Sequence, residues 1–524
     1  MQHNFKMNNL FRYSLYLLAV LPIFIFRDYT PDNELRYLSI ADEALRNGTI
    51  FTFTNHGLIY ADKPPLYLWI VMSGKLIFGS HNLLFLGLFS LIPALVIVYI
   101  MDKWVKDRLT ENERFAGQLM LLTSGFFIGT AVVMRMDMLM CMFIVLSLNT
   151  FYRIYTGNNT KRDAYLFPIY VFMALFSKGP IGIIVPLVST IVFLFLKRDL
   201  RSIGKYWGWK TLAILLTFCG LWFTGVYAEG GNAYLHNLLF NQTVNRAVNS
   251  FHHQEPFYFY LIAFWYSLAP WSLLMAGVFI AGLRKKLASS DLELFFLTVS
   301  ASTLITLSLF SSKLPVYMLP AIPFFVYLSV LWLNRIGLPQ WVLPLTGFPA
   351  AILCLALPAL FIVPQFIQIN ELGSNPIIIL AALMLTVSGI IGIKQLYQSK
   401  INQAISVIGG GMLAGVFVIS FAIPQYNSMI GLKELCNHAQ EVAVKQGAEN
   451  YYYCEMSRGD NMDVYLGVKP GKLLKQDLYD TTKIKKPAIL FLWQKAIDRN
   501  DSIQAFIKNR PMYRSGNYYY FEIE

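Results

Sequence analysis

Six short stretches of this chain set charged side chains between long apolar runs. The first is Tyr29-Thr-Pro-Asp32-Asn33-Glu34-Leu-Arg36-Tyr37. A carboxylate there, next to the amphipathic run Leu38, Ile40, Ala41, Ala44 and Leu45, is placed to take a proton at a membrane surface. The same letters also spell a helix start, with Asp32 as N-cap and Glu34 favoured by the helix dipole. The second stretch is Tyr60-Ala-Asp62-Lys63-Pro64-Pro65-Leu-Tyr67. A lysine held before a Pro-Pro turn offers a point charge to a phosphate, or else snorkels to an interface. The third, Met134-Arg135-Met136-Asp137, flanks an Arg and an Asp with long apolar runs, which is costly unless they pair or act. The fourth and fifth, Ser177-Lys178-Gly179-Pro180 and Ser312-Lys313-Leu314-Pro315-Val316-Tyr317, each put a lysine at a helix end with Pro in a helix-starting position. The sixth is Phe251-His252-His253-Gln254-Glu255-Pro256-Phe257-Tyr258. His252, His253 and Glu255 are metal-ligand types. They lack helical spacing, so hydrogen bonding to a substrate or between loops is preferred over a metal site. Together, carboxylates with Lys63, Arg135, Lys178 and Lys313 suit an anionic headgroup on a lipid, with a base to activate an acceptor. A simple channel would string its charges along a pore.

The elements that carry these motifs are helices of a polytopic membrane protein. Of 524 residues, 56% are hydrophobic and 14% charged, against roughly 25% charged in soluble domains. The apolar residues come in separate blocks of the ~20 residues that a bilayer crossing needs. Thirteen spans are expected near 12–27, 81–101, 115–133, 138–153, 164–177, 179–196, 211–228, 257–282, 293–310, 315–333, 340–363, 376–393 and 404–423. The two between 164 and 196 are short, and one of them reads as re-entrant. The block 65–78 is too short to cross and reads as an interfacial helix. The first span has the basic start of a signal peptide but runs into Phe26-Arg27-Asp28-Tyr29 without a small-x-small site, so it is read as a retained anchor.

Orientation follows from lysine and arginine. With the N-terminus in the cytoplasm, the inner segments hold 20 Lys and Arg, the outer loops 9 and the tail 14, the last against 12 acids. Membrane topology thus accounts for most of the +13 net charge, and no nucleic-acid partner is expected. An odd number of spans puts the tail outside, and all six motifs fall on that outer side. Residues 1–424 read as a membrane domain that includes a long first outer loop, 27–80. Residues 425–524 read as a small soluble α/β domain. In it, 464–466, 488–492 and 518–521 are expected strands, and 433–446 and 498–508 helices. The five cysteines form no zinc pattern; Cys436 and Cys454 lie in the tail, where an oxidising compartment would let them pair.

An ordered series of motifs now stands out: the acidic stretch ending Arg36-Tyr37, Asp62-Lys63-Pro-Pro, Arg135-Met-Asp137, Ser-Lys178-Gly-Pro, His253-x-Glu255-Pro-Phe, Ala-Pro-Trp271 and Ser-Lys313-Leu-Pro-x-Tyr317-x-x-Pro. Over roughly residues 10–335 the chain resembles the integral-membrane glycosyltransferases of the GT-C fold. Among these it is similar to the group holding the bacterial 4-amino-4-deoxy-L-arabinose lipid A transferase and its protein O-mannosyltransferase relatives. The resemblance implies an all-α membrane bundle with an outer soluble domain, in a bacterial inner membrane. It implies transfer of a sugar from a polyprenyl-phosphate carrier to a lipid, protein or glycan acceptor on the outer side, usually with inversion. It also implies roles. The family pattern Asp-Glu-x-Arg-Tyr, aligned on Arg36-Tyr37, puts Asn33 where the Asp is expected. Asp32 matches with one residue inserted and is taken as the base or acceptor-orienting group, with Glu34 second and Arg36 beside them. Asp137 matches the family's second acid. Lys63 matches a lysine near the carrier phosphate, with Asp62 standing where an acid, often Glu, precedes it. Arg135, Lys178, Lys313 and Tyr317 line the same cavity, and His253 matches the His of His-x-Glu-Pro. A Lys- and Arg-rich site would stabilise a phosphate leaving group, so no metal requirement is expected, although some relatives use a divalent ion.

Three other functions fit less well. A lipid-linked glycan polymerase or ligase is expected to use one large late outer loop. A transporter or flippase predicts mid-span charges and internal repeats. A scaffold role for the tail leaves the ordered membrane-edge charges unexplained.

Overall fold

The computed structural model describes residues 9–240, 254–337, 339–367, 374–480 and 482–523. The chain is an all-α membrane bundle with a small α/β part, as its composition requires. Eight helices among the described residues are long and apolar enough to cross a bilayer, or nine with one bent pair. The other expected spans are helical but broken or short. The span near 115–133 is split into Glu111–Leu122 and Gly125–Ala131, and that near 257–282 into Phe259–Ser267 and Ser272–Arg284 around Pro270. Proline removes an amide donor, and no helix runs through it there. The span at 340–363 is Val342–Cys354 and Ala356–Val363, bent by 47°. The helices Asp163–Lys178 and Ile181–Leu196 have 16 residues each, about 24 Å, short of a ~30 Å hydrocarbon core.

By packing, the chain divides into two compact units. One comprises Met1–Pro22, Ala61–Tyr67 and Leu84–Phe421. Its centre is the helical stretch Pro315–Ile336, 94% of whose apolar window is buried. Trp271 and Trp332 are fully buried, and the Trp271 Nε1 donates to Thr123 Oγ1 at 2.9 Å. At the ends expected to face inward, acids in first helical turns receive cations at or just past the ends of neighbouring helices. Arg153 meets Asp163 at 2.8 Å, Lys197 meets Asp291 at 2.7 Å, and Arg335 meets Glu293 at 2.8 Å. The last of these helix starts is a capping box, Ser290 with Glu293, and Thr110 with Glu113 forms another at the start of Glu111–Leu122, each satisfying amides that a helix end leaves open.

The second unit comprises Ile23–Tyr60, Leu68–Leu83 and Ala422–Glu524. Most of the first loop therefore packs with the tail, whereas the sequence reading kept it with the membrane domain. Asp28 is the reason. Its carboxylate accepts from Tyr465 Oη at 2.6 Å and from the Lys433 amide at 2.9 Å, and its own amide donates to Asn427 Oδ1. Helix Glu34–Asn47 is followed by a two-stranded hairpin, β1 (Thr54–Asn55) and β2 (Leu58–Ile59). Glu43 ties the hairpin back, accepting from the His56 and Gly57 amides and from Thr54 Oγ1. Helix Leu66–Phe78 ends with Leu76, Ile77 and Phe78 exposed.

The tail forms a five-stranded mixed sheet of β3 (Asn450–Cys454), β4 (Gly471–Leu473), β5 (Ala488–Trp493), β6 (Met512–Ser515) and β7 (Tyr518–Ile523), in the order β4-β3-β5-β7-β6. The pairs β3–β4 and β3–β5 are parallel, and β5–β7 and β6–β7 antiparallel. Strands 488–492 and 518–521 and helix Lys433–Gln446 match the sequence reading. Residues 464–466 do not: Asp463–Leu466 is one helical turn, closed by Gly467 at φ 73°. The helix expected over 498–508 is Asp501–Ile507. Cys436 and Cys454 are both buried free thiols.

Candidate functional site

In the membrane unit, three of the six motifs converge on Asp137. This residue is the first of helix Asp137–Tyr155 and its side chain is fully buried. Both oxygens face cations: Oδ2 receives Arg135 Nε at 2.9 Å, and Oδ1 is paired with Lys178 Nζ. Lys178 ends helix Asp163–Lys178, is 5% exposed, and lies over the Tyr317 ring, 4.6 Å from its centroid. Lys63, half-buried beside Asp62, is within electrostatic reach of Asp137. Two cations on one carboxylate leave net positive charge among apolar helices. Such charge stabilises a phosphate far more in a dry site than in water.

The fifth and sixth motifs also meet. Lys313 is buried, and its Nζ donates to the Glu255 carbonyl at 2.7 Å. Gln254 and Ser312 form a β-bridge, and Tyr260 Oη donates to the Leu314 carbonyl at 3.2 Å. Glu255 contributes its backbone here and its residue is exposed. His252 and His253 lie outside the described residues. Among those described, no group of three His, Cys, Asp or Glu is placed to hold a metal ion.

In the second unit, the first motif's acids differ sharply. Glu34 is fully buried and held bidentately by Arg27, with Nη1 to Oε2 at 2.6 Å and Nη2 to Oε1 at 2.7 Å. Its Oε2 also accepts from the Thr30 amide and Oγ1. Asp32 is exposed and accepts from Ser457 Oγ at 3.3 Å. Asn33, not Asp32, occupies the N-cap position of helix Glu34–Asn47, and its side chain makes no capping bond. Arg36 lies near the rings of Tyr37 and Tyr60, 5.5 and 5.9 Å from their centroids.

The sequence reading missed two charged groups here. Asp42 Oδ1 accepts from Lys75 Nζ at 2.6 Å and is 2.7 Å from His81 Nε2. Burial pushes the Asp42 carboxyl up, but the His81 hydrogen bond and charge, with those of Lys75, hold it below the usual carboxylate value. Asp463 accepts from Ser39 Oγ at 2.8 Å and lies 3.8 Å from His56 Nδ1. Burial raises its carboxyl above the ordinary value despite the Ser39 hydrogen bond. The only sequence signal for either group was an acid on the amphipathic helix or in the tail, with partners 33 and 424 residues away.

The family model described as dolichyl-phosphate-mannose-protein mannosyltransferase matches residues 62–223, the interval holding Asp62, Lys63, Arg135, Asp137 and Lys178. An uncharacterized protein of Aquifex aeolicus is 26% identical over 340 residues, 62% of this chain and 65% of its own length. The undecaprenyl phosphate-alpha-4-amino-4-deoxy-L-arabinose arabinosyl transferase of Edwardsiella ictaluri is 24% identical over 431 residues, 78% of this chain and 75% of its own length. The same-named transferases of Pseudomonas savastanoi and Serratia proteamaculans are spanned over 57% and 53% of their length. Among solved structures, ArnT from Cupriavidus metallidurans bound to undecaprenyl phosphate superposes with a TM-score of 0.75 at 16% identity, covering 98% of this chain and 97% of that one. That likeness is one of fold.

Proposed function

We propose that the chain is a member of the GT-C superfamily that joins the aminoarabinose lipid transferases and the protein mannosyltransferases, and that it is an inverting glycosyltransferase. In this reading it moves a sugar from a polyprenyl-phosphate carrier to a lipid-type acceptor at the outer face of a bacterial inner membrane. The N-terminus is cytoplasmic and the C-terminal domain extracytoplasmic, as the lysine and arginine distribution favours. The observation that carries the proposal is the buried Asp137 with Arg135 and Lys178 around it.

The acceptor hydroxyl oxygen forms a bond to the anomeric carbon while the bond from that carbon to the carrier phosphate breaks. The leaving phosphate takes the electron pair, and the hydroxyl proton passes to a carboxylate. Arg135, Lys178 and Lys63 stabilise the developing phosphate charge, Asp137 holds the first two in place, and Tyr317 and Lys313 complete the wall. By motif match, that carboxylate is Asp32, the exposed acid of the first motif; Glu34, fully engaged by Arg27, holds the turn that carries it.

Native mass spectrometry of the detergent-purified full chain with undecaprenyl phosphate tests the reading. Saturable binding is expected, and a Lys63→Ala/Lys313→Ala variant should bind at least ten-fold more weakly, the loss of roughly 1.4 kcal/mol. Absence of binding in both forms would remove the carrier from the reading and move a transporter forward. Protein or glycan acceptors are separated by supplying each with a carrier-linked sugar.

A further inference from the structure

Among the described residues of the membrane unit, grooves open between helices, and three of them differ in lining. Two, of about 480 and 300 Å³, are lined by no cation. The third, of about 380 Å³, is different. Its walls are Gly277, Ile280, Trp341 and Leu345, and its end is formed by Arg284 and Lys285 in the last turn of helix Ser272–Arg284 and just beyond it. Gly277 brings the two walls together: an added Cβ would come within 2.7 Å of Leu345 Cδ1 and 2.8 Å of Trp341 Cζ3.

The neighbouring basic ends do not look like this. Arg153, Lys197 and Arg335 meet carboxylates at helix starts. Arg284 and Lys285 are exposed, and the described residues place no carboxylate on either. Positive-inside orientation asks only for basic residues in a loop. It does not ask that two cations close an apolar groove walled by a tryptophan. That combination is the shape of an amphiphile: an acyl chain along the wall, an anion at the end, and an indole at the polar boundary.

We propose that this groove is a binding site for an anionic glycerophospholipid in the leaflet facing the basic loops. Arg284 and Lys285 hold the headgroup phosphate, and Gly277, Ile280, Trp341 and Leu345 hold one acyl chain. The volume falls within the ~300–1,000 Å³ of ordinary ligand sites. The site lies apart from the Asp137 cluster in sequence and role, so it stands whether or not the transferase reading does.

The experiment is native mass spectrometry of the full chain in detergent, titrated with phosphatidylglycerol, phosphatidylethanolamine or inorganic phosphate. Phosphatidylglycerol should be retained in preference to phosphatidylethanolamine, and inorganic phosphate should not compete at millimolar levels. Arg284→Gln/Lys285→Gln should weaken phosphatidylglycerol binding roughly 30-fold, about ten-fold more than Arg198→Gln/Arg201→Gln on another basic loop. Equal loss in the two double variants would reduce the effect to general basic charge and overturn the site. Equal retention of the two lipids, or displacement by inorganic phosphate, would overturn it too. If the double variant does not fold, a photoreactive acyl chain on phosphatidylglycerol reads the native protein. Cross-links should fall in 277–285 and 341–345, and cross-links elsewhere would sink the proposal.

Discussion

Asp32 and Glu34 stand two residues apart and do opposite physical work. Glu34 is buried under a bidentate arginine, so Glu34→Gln leaves Arg27 without its counter-charge. Breaking a buried pair from one side costs roughly 3–5 kcal/mol. Glu34→Gln should therefore lower the melting temperature of the second unit by several degrees. Asp32→Asn should leave it unchanged while abolishing transfer. Full transfer by Asp32→Asn would take the proton-accepting role from Asp32. The sequence alone showed both acids and the pattern that marks them, yet not which one is buried. That depends on Arg27, seven residues earlier, which the linear reading treated as loop. The same holds for Lys178, whose partner Asp137 is 41 residues away.

Asp463 gives a pH signature at the same scale. Its folded carboxyl is raised by burial, so folding favours its protonated form. That contribution is fully present below its unfolded value and is lost as pH rises through the raised folded one. Asp463→Asn, which removes the charge, should make the protein more stable than wild type at neutral pH. The gap should close as the pH falls below about 4, where the wild-type acid is also neutral. Glu43, held low by its partners, titrates with the opposite sign in both proteins, whereas Asp42, whose charge helps raise Asp463, is itself relieved of a like charge in the variant. Thermal melts of the two proteins from acid to neutral pH read this directly. A gap that widens toward acid would show that the Ser39 and His56 contacts dominate.

At the level of elements, helix Ser272–Arg284 packs against the central helix through Gly282, where an added Cβ would overlap the Trp332 ring. Gly282→Ala should destabilise the bundle by about 1–3 kcal/mol, because a fully buried tryptophan has nowhere to move. Gly220→Ala, in helix Trp209–His236 with open space around it, should instead be neutral or gain up to ~1 kcal/mol of helix propensity. Melting both variants in one detergent checks the pair. Hydrophobic length marked most spans correctly, since eight helical stretches are long and apolar enough to cross, one of them kinked at Gly231. It failed where proline or a tertiary contact decided. Pro270 interrupts an apolar run that otherwise reads as one crossing. Val464-Tyr465-Leu466 has the composition of a strand, but Tyr465 is drawn to Asp28, and Gly467 closes a helical turn instead. Short apolar runs carry no period with which to choose.

For the whole molecule, lysine and arginine content predicts which ends lie on which side. Asn159→Cys and Ser502→Cys introduce thiols at exposed positions on the two expected faces. A membrane-impermeant maleimide applied to intact cells should label position 502 by at least ten-fold over 159, and permeabilisation should equalise them. Labelling of 159 in intact cells would invert the topology. Fold class was legible because composition and block length are local properties. The membership of the second unit was not: it rests on contacts such as Asp28 with Lys433, 405 residues apart.

That membership sets a timetable. The first loop leaves the ribosome early, but its packing partners at 422–524 follow roughly 340 residues later. At ~5–20 residues per second the gap is about 17–70 s. During it, Leu35, Leu38, Ile40 and Ala41, all fully buried in the finished protein, have no tail to cover them. The half-made protein thus keeps apolar surface exposed for that interval, the condition under which partly folded chains aggregate.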